Sequence, residues 1–162
     1  MIIETKLSEK EFINASLATI WSRKYSKIFL IVFLVIIASN IFTTTSNATK
    51  DTFIPVVLPP ILIFGIVFFI FRYNFKNAYK KNFRVSENIE YNFTDTNLLI
   101  TGESFTSEMT WNKIYKVTKT KNWLLVWQSS QIANVIPLRL VSTENLNQLK
   151  DIMQKNNTKN NL

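Results

Sequence analysis

The sequence predicts a membrane α-helical hairpin joined to an α+β cytosolic domain, a small β-roll or barrel of six or seven strands with a C-terminal helix. Three observations predict it. Two blocks, "IFLIVFLVIIASNIFTTT" (residues 28–45) and "FIPVVLPPILIFGIVFFIF" (residues 53–71), carry no charge. At ~1.5 Å per residue each reaches roughly the 30 Å of bilayer hydrocarbon. Beyond Val85 the apolar pattern takes a period of two, the signature of half-buried strands. The chain then ends on "TENLNQLKDIMQK", where Leu146, Leu149, Ile152 and Met153 recur at helical spacing.

The elements follow in order. Residues 1–27 form a cytoplasmic N-terminal strand and amphipathic helix. "MIIETKL" alternates as a short strand, and Ser8 with Glu11 three residues on supplies a capping box for the helix that follows. That helix is expected to run into the first span without a break, with Trp21 and Tyr25 at the interface. The leader before the first span is too long for a cleaved signal, so residues 28–71 are read as a retained hairpin. Asn40 in the first span is expected to hydrogen-bond across the hairpin or to lie near the far interface. Pro55, Pro59 and Pro60 are expected to kink the second span, with a coupling hinge as the alternative.

The charge distribution orients the hairpin. Of the net charge of +8, most of the excess lies in residues 72–84, which hold Arg72, Lys76, Lys80, Lys81 and Arg84 and no acid. Arg23, Lys24 and Lys27 precede the first span, while the connection "SNATKD" is neutral. Basic residues stay on the cytoplasmic side, so both termini are expected in the cytoplasm and the hairpin in a bacterial cytoplasmic membrane. The juxtamembrane run reads as a topology anchor. It is also the candidate contact for anionic lipid of the inner leaflet.

Residues 85–156 read as the cytosolic domain. "NIEYNFT" and "LLITG" flank the turn "DTN", and "ESFTSEMTW" and "YKVTKT" follow. "NWLLVWQ" is apolar on both faces and so central or covered, and "IANVIP" is stopped by Pro137. Ser142 caps the last helix, and residues 157–162 form a polar, disordered tail. Seven strands, counting the N-terminal one, and a closing helix make the layout of a pleckstrin-homology-like domain. Trp111, Trp123 and Trp127 read as core aromatics. Trp123 and Trp127 share a strand face with Leu125 between them, expected to pack against the helix of Leu146, Leu149 and Met153. A ligand groove lined by these rings is the alternative.

Lys113, Lys116, Lys119 and Lys121 are read as edge charges that discourage sheet aggregation, or as a headgroup-facing rim. Arg139 is left between capping a helix end and pairing with Glu144. Glu87, Glu90, Glu103 and Glu108 are read as solvated strand faces.

The order of two apolar spans, "IEYNFTDTNLLI", "MTWNKIYKV", "NWLLVW", "NVIPLR" and a helix resembles the YcxB-like family of bacterial membrane proteins. The resemblance rests on that order and spacing, with Trp111 three residues before Ile114 and Ile136–Pro137 ahead of the helix. It implies a cytoplasmic-membrane protein with a small pleckstrin-like cytosolic domain. It implies no catalytic residue and no cofactor.

Composition narrows the function. The chain has no cysteine and no histidine, which removes disulfides, thiolate chemistry, and the commonest general base and metal ligand. Two glycines in the whole chain leave no Gly-rich phosphate loop, and no Ser/His/Asp set or metal cluster is present. Beyond residue 84 eight basic side chains meet seven acidic ones, which gives no basic stripe for nucleic acid. The expectation is a non-catalytic, membrane-anchored binding or scaffolding protein that contacts lipid headgroups, a membrane partner or itself. The alternative is a membrane immunity or inhibitor protein that neutralises a specific partner.

Overall fold

The computed structural model describes residues 1–45 and 50–162, with the side chains of residues 40, 41, 43–45 and 50–57 left aside. The expected connection "SNATKD" therefore lies mostly outside the described residues, as do the roles expected of the Asn40 and Pro55 side chains. The element order is β1 (Ile2–Thr5), α1 (Glu9–Trp21), α2 (Lys24–Thr45), α3 (Lys50–Lys81), β2 (Ile89–Phe93), β3 (Asn97–Thr101), β4 (Thr106–Thr110), β5 (Lys116–Lys119), β6 (Trp123–Trp127), β7 (Ala133–Pro137) and α4 (Thr143–Lys155). The fold is α+β, with one four-stranded and one three-stranded antiparallel sheet.

The first sheet has the order β1-β2-β3-β4. Its edge strand comes from the far side of the long helices: Ile2 pairs with Asn92 and Thr5 with Ile89. The pairing extends to the chain start, where the Phe93 N–H donates to the Met1 carbonyl at 2.8 Å and the Met1 amine donates back to the Phe93 carbonyl at 2.9 Å. The second sheet has the order β5-β6-β7. Its central strand β6 is buried at all five positions, as its two-sided apolar sequence requires.

The two faces of β6 meet different partners. Leu124 and Val126 join the main core, where Phe93, Leu98 and Ile100 of the first sheet meet Leu149, Ile152 and Met153 of α4. Trp123, Leu125 and Trp127 face the other way, against Leu7, Phe12, Ala15 and Ala18. This corrects the expectation that the tryptophan face packs on α4. Both helices offer an apolar stripe, and α1 takes this one because β1 sets its start beside the sheets. Trp111 seals the main core, stacked on Phe93 with ring centroids 6.2 Å apart. Its Nε1–H donates to the Thr94 carbonyl at 2.9 Å. Trp127 donates likewise to the Thr118 hydroxyl at 2.8 Å. Truncating one such buried ring costs about 3–5 kcal/mol.

Helix α1 begins with the reciprocal capping box of Ser8 and Glu11, as its sequence predicts. It does not continue into α2. Ser22 and Arg23 interrupt it, with Ser22 in the cap position and its hydroxyl donating to the Ala18 carbonyl at 2.7 Å. The Thr19 hydroxyl does the same to Ala15 at 2.8 Å. Such back-bonding competes with the helix ladder and bends it. Helix α3, by contrast, stays helical through Pro59 and Pro60 to Lys81. Helices α2 and α3 pack on each other, with the Phe33 and Phe64 rings stacked at 5.8 Å.

Among the described residues one helical stretch, Leu58–Lys81, is long and apolar enough to cross a membrane by length and composition, and its most apolar window is wholly unburied. At the other end of the chain, Ser142 caps α4 by accepting from the Asn145 N–H at 3.0 Å. Residues 157–162, expected as a disordered tail, lie along the open edge of β5. The Val117 N–H donates to the Lys159 carbonyl at 2.8 Å and the Lys119 N–H to Asn161 Oδ1 at 2.7 Å. Asparagine 157 enables the turn, with a φ of 51° that this residue type tolerates.

The sheets therefore need residues 1–23 as well as the C-terminal region. A chain of residues 85–162 alone leaves the β2 edge unpaired and the tryptophan face bare. It should show no cooperative thermal transition by circular dichroism. A chain joining residues 1–23 to 82–162 through a flexible linker should melt cooperatively. Equal melting of the two chains would refute an integral role for β1 and α1.

Candidate functional site

The basic run sits where the apolar helix meets the sheets. Lys76, Lys80, Lys81 and Arg84 are exposed and Arg72 is half-buried. Lys80 and Lys81 occupy the last turn of α3, where the helix dipole favours cations. The Arg72 guanidinium lies over the Phe68 ring at 5.8 Å, and Arg84 lies over Phe105 at 5.5 Å. Lys76 Nζ approaches Glu9 Oε1 at 3.5 Å, an exposed pair of small energetic weight. The five residues thus share one end of the helix without converging on a single point.

Other contacts fix that helix end to the sheets. The Tyr79 hydroxyl donates to the Leu7 carbonyl at 2.8 Å, and its ring packs on Phe12 at 5.7 Å. Arg139 resolves the choice left open by its sequence by taking neither partner. Its Nη2 and Nε donate to Glu11 Oε1 at 2.8 and 3.1 Å. One carboxylate therefore closes the α1 cap and ties α1 to the segment after β7. Hydrogen bonding from the Ser8 backbone, then from Arg139, lowers the Glu11 pKa below its ordinary value.

Glu87 is the second such tie, and it departs from the solvated strand face expected of it. It lies before β2 and is 8% exposed. The Ser104 hydroxyl donates to its Oε1 at 2.6 Å, and the Ser104 N–H to its Oε2 at 3.0 Å. Asn88 donates from its backbone and side chain to Glu103 Oε1 at 3.3 and 3.2 Å. The β3–β4 turn is shaped to this contact. A Cβ at Gly102 would stand 2.8 Å from Glu87 Oε2 and would collide with the Phe105 ring. The Ser104 hydroxyl bond is the leading cause of a lowered Glu87 pKa, supported by backbone N–H groups and the Arg84 charge, while burial opposes it. Glu108 accepts from the Asn97 side-chain amide across the β3–β4 pair. Tyr91, buried in the main core, has its pKa raised by desolvation.

The lysines near the tryptophans divide. Lys116 lies over the Trp127 ring at 4.9 Å, whereas Lys113, Lys119 and Lys121 are exposed. Trp111, Trp123 and Trp127 are 2%, 8% and 0% exposed, so none offers a ring face as a groove wall. Among the described residues no three His, Cys, Asp or Glu side chains gather as a metal site.

Two cavities adjoin the basic helix end. One, of about 600 Å³, lies between α1, the end of α3 and the strands, with Phe75, Tyr91, Phe105, Arg23, Arg84 and Asn134 among its walls. The other, of about 470 Å³, lies between α1, α2 and α3 and is walled by Trp21, Phe29, Phe33, Phe64 and Phe68 among others. Ile20 and Phe71 line both. Sequence marked Arg23 only as part of the basic flank before the first span and did not single out Asn134, because the two come from unconnected segments and carry no spacing signal for a shared site.

The two sheets with α4 form an α+β domain. The family model described as YcxB-like protein matches residues 93–153, from the last residue of β2 into α4, and confirms the resemblance over that region. Nothing among the curated proteins matches the chain, and no solved structure does.

Both carboxylates with lowered folded pKa values contribute stability that is present above the ordinary value of 4.5 and is lost as pH falls through the lowered one. Thermal stability should therefore drop below pH 4.5. Glu87→Gln, which keeps the shape and one acceptor, should lower Tm at neutral pH and shrink the acid-side drop, leaving the part due to Glu11. An unchanged acid-side drop in that variant would remove Glu87 from the account.

Proposed function

We propose that this chain is a non-catalytic integral protein of the bacterial cytoplasmic membrane, whose pleckstrin-like domain is held at the inner leaflet and contacts anionic headgroups. The observation that carries the reading is the basic run from Arg72 to Arg84, exposed at all but Arg72, at the end of an unburied apolar helix and directly beside the sheets. Each basic side chain near an anionic surface contributes about 1 kcal/mol of attraction.

The β1–β2 pairing supports two crossings. The chain leaves the sheets before α2 and returns to the same sheet after α3. A chain that returns to its starting side crosses a bilayer an even number of times, so a spanning α3 implies a spanning α2. The basic flanks support a cytoplasmic position for the shared side. Four strands, three strands and a closing C-terminal helix support the pleckstrin-like reading.

The absence of native cysteine gives topology a clean test. A cysteine placed at Asn47 should react with a membrane-impermeant maleimide in intact spheroplasts, and one placed at Asn157 only after lysis. The reverse labelling would invert the hairpin. The binding reading is tested by affinity purification of the tagged full chain from its own mildly solubilised membranes, with mass spectrometry. The expected recovery is the chain with co-enriched anionic lipid. A single near-stoichiometric foreign protein without such lipid would replace headgroup contact with an adaptor or inhibitor role.

A further inference from the structure

The two cavities at the base of the helices differ in character in a way that matches one kind of molecule. The cavity between α1, α2 and α3 is walled almost wholly by apolar and aromatic side chains. The cavity beside the strands carries Arg23 and Arg84 in its wall and no carboxylate. Its buried Arg23 Nε and Asn134 Nδ2 are both donors without a hydrogen-bond partner. Arg23 is already held in place, its Nη2 donating to the Gln131 carbonyl at 2.7 Å. A buried donor left without an acceptor is costly, and both of these donors belong to residues that line this one cavity. Ile20 and Phe71 belong to both walls, so the polar and apolar chambers adjoin. On the membrane reading above, that junction lies at the cytoplasmic interface.

We infer that the two chambers form one site for a single anionic phospholipid of the inner leaflet. Its phosphate accepts from Arg23 and Asn134, and one acyl chain lies between α1, α2 and α3. The inference rests on the proposed membrane placement. It differs from headgroup attraction by the exposed basic run, because it requires a specific pocket and an acyl tail. Charge complementarity selects an anionic head: two arginines and no carboxylate line the cavity, and Arg23 forms no salt bridge among the described residues. The break between α1 and α2 has a role in this site, since it places Arg23 at the turn rather than on a continuous helix.

The test begins with membranes washed in alkaline carbonate. Release of the protein by that wash would refute the membrane placement itself, and the lipid site with it. Retained protein is then extracted in mild detergent, loaded with phosphatidylglycerol or phosphatidylcholine, and weighed intact by native mass spectrometry. One phosphatidylglycerol per chain should persist, with at least fivefold less phosphatidylcholine. Asn134→Asp, which keeps the shape but replaces a donor with an acceptor, should lower retention at least fivefold, as should Arg23→Gln. Lys150→Gln, at an exposed position of α4 outside the basic run and both cavities, should leave it within twofold, and circular dichroism should show all variants folded. Glycerol 3-phosphate, a head without a tail, should fail to displace the lipid. Equal retention of the two lipids, full retention in both site variants, or an equal loss on changing Lys150 would each overturn the site in a protein that remains integral.

Discussion

The pairing of β1 with β2 is the constraint on which the rest of the architecture depends. Four residues at the start of the chain hydrogen-bond to a strand that begins at Ile89, and everything between is an excursion from one sheet edge. Closing a loop of that length costs more than a hairpin turn, but the cost grows only with the logarithm of length. The excursion is also largely self-structured, since α2 and α3 pack on each other. Once β1 is in place, α1 follows within a few residues and is delivered to the outer face of β6. The tryptophan-rich strand is therefore buried on both sides.

That geometry leaves the densest aromatic stretch of the chain without an accessible tryptophan face. The rings of Trp111, Trp123 and Trp127 are enclosed by α1 on one side and by the sheets and α4 on the other. Polar contacts with Thr94 and Thr118 satisfy the two indole N–H groups that the structure pairs. Accessible chemistry is displaced to the helix end, where α1, α3, the β3–β4 turn and β7 converge. Arg23, Arg84 and Asn134 reach that place from three separate segments.

What could be read from sequence was local. The capping box at Ser8, the cap at Ser142, the change of period after Val85 and the two-sided apolar strand at Trp123 each depend on residues a few positions apart, and each marks an element the structure contains. The long-range choices were not legible. Two amphipathic helices offered apolar stripes of similar kind, and nothing in their spacing said which would cover Trp123 and Trp127. Arg139 had Glu144 close in sequence but took Glu11, because the α1 cap lies across the segment that follows β7. Ser22 and Arg23 are compatible with a helix in isolation. The break there depends on hydroxyl back-bonding and on a carbonyl of Gln131, over a hundred residues away. Glu87 looked like an exposed strand residue because its partner, Ser104, belongs to a turn whose conformation required Gly102.

The contacts that join helix to sheets also decide how firmly the domain is positioned. The exposed Lys76–Glu9 pair adds little, since solvent screens it and two long side chains must be ordered to form it. Tyr79 is a different kind of contact. Its ring packs on Phe12 while its hydroxyl satisfies a backbone carbonyl at the entry to α1, so displacing it would cost both burial and a hydrogen bond. Only residues 82–88 separate α3 from β2, and at ~3.3 Å per residue they could extend over no more than about 25 Å. A short tether alone would still let the sheets swing. Tyr79, the Glu11–Arg139 bond and the Glu87–Ser104 bond together hold both ends of that tether, and so the sheets are fixed against the basic end of α3 rather than merely attached to it.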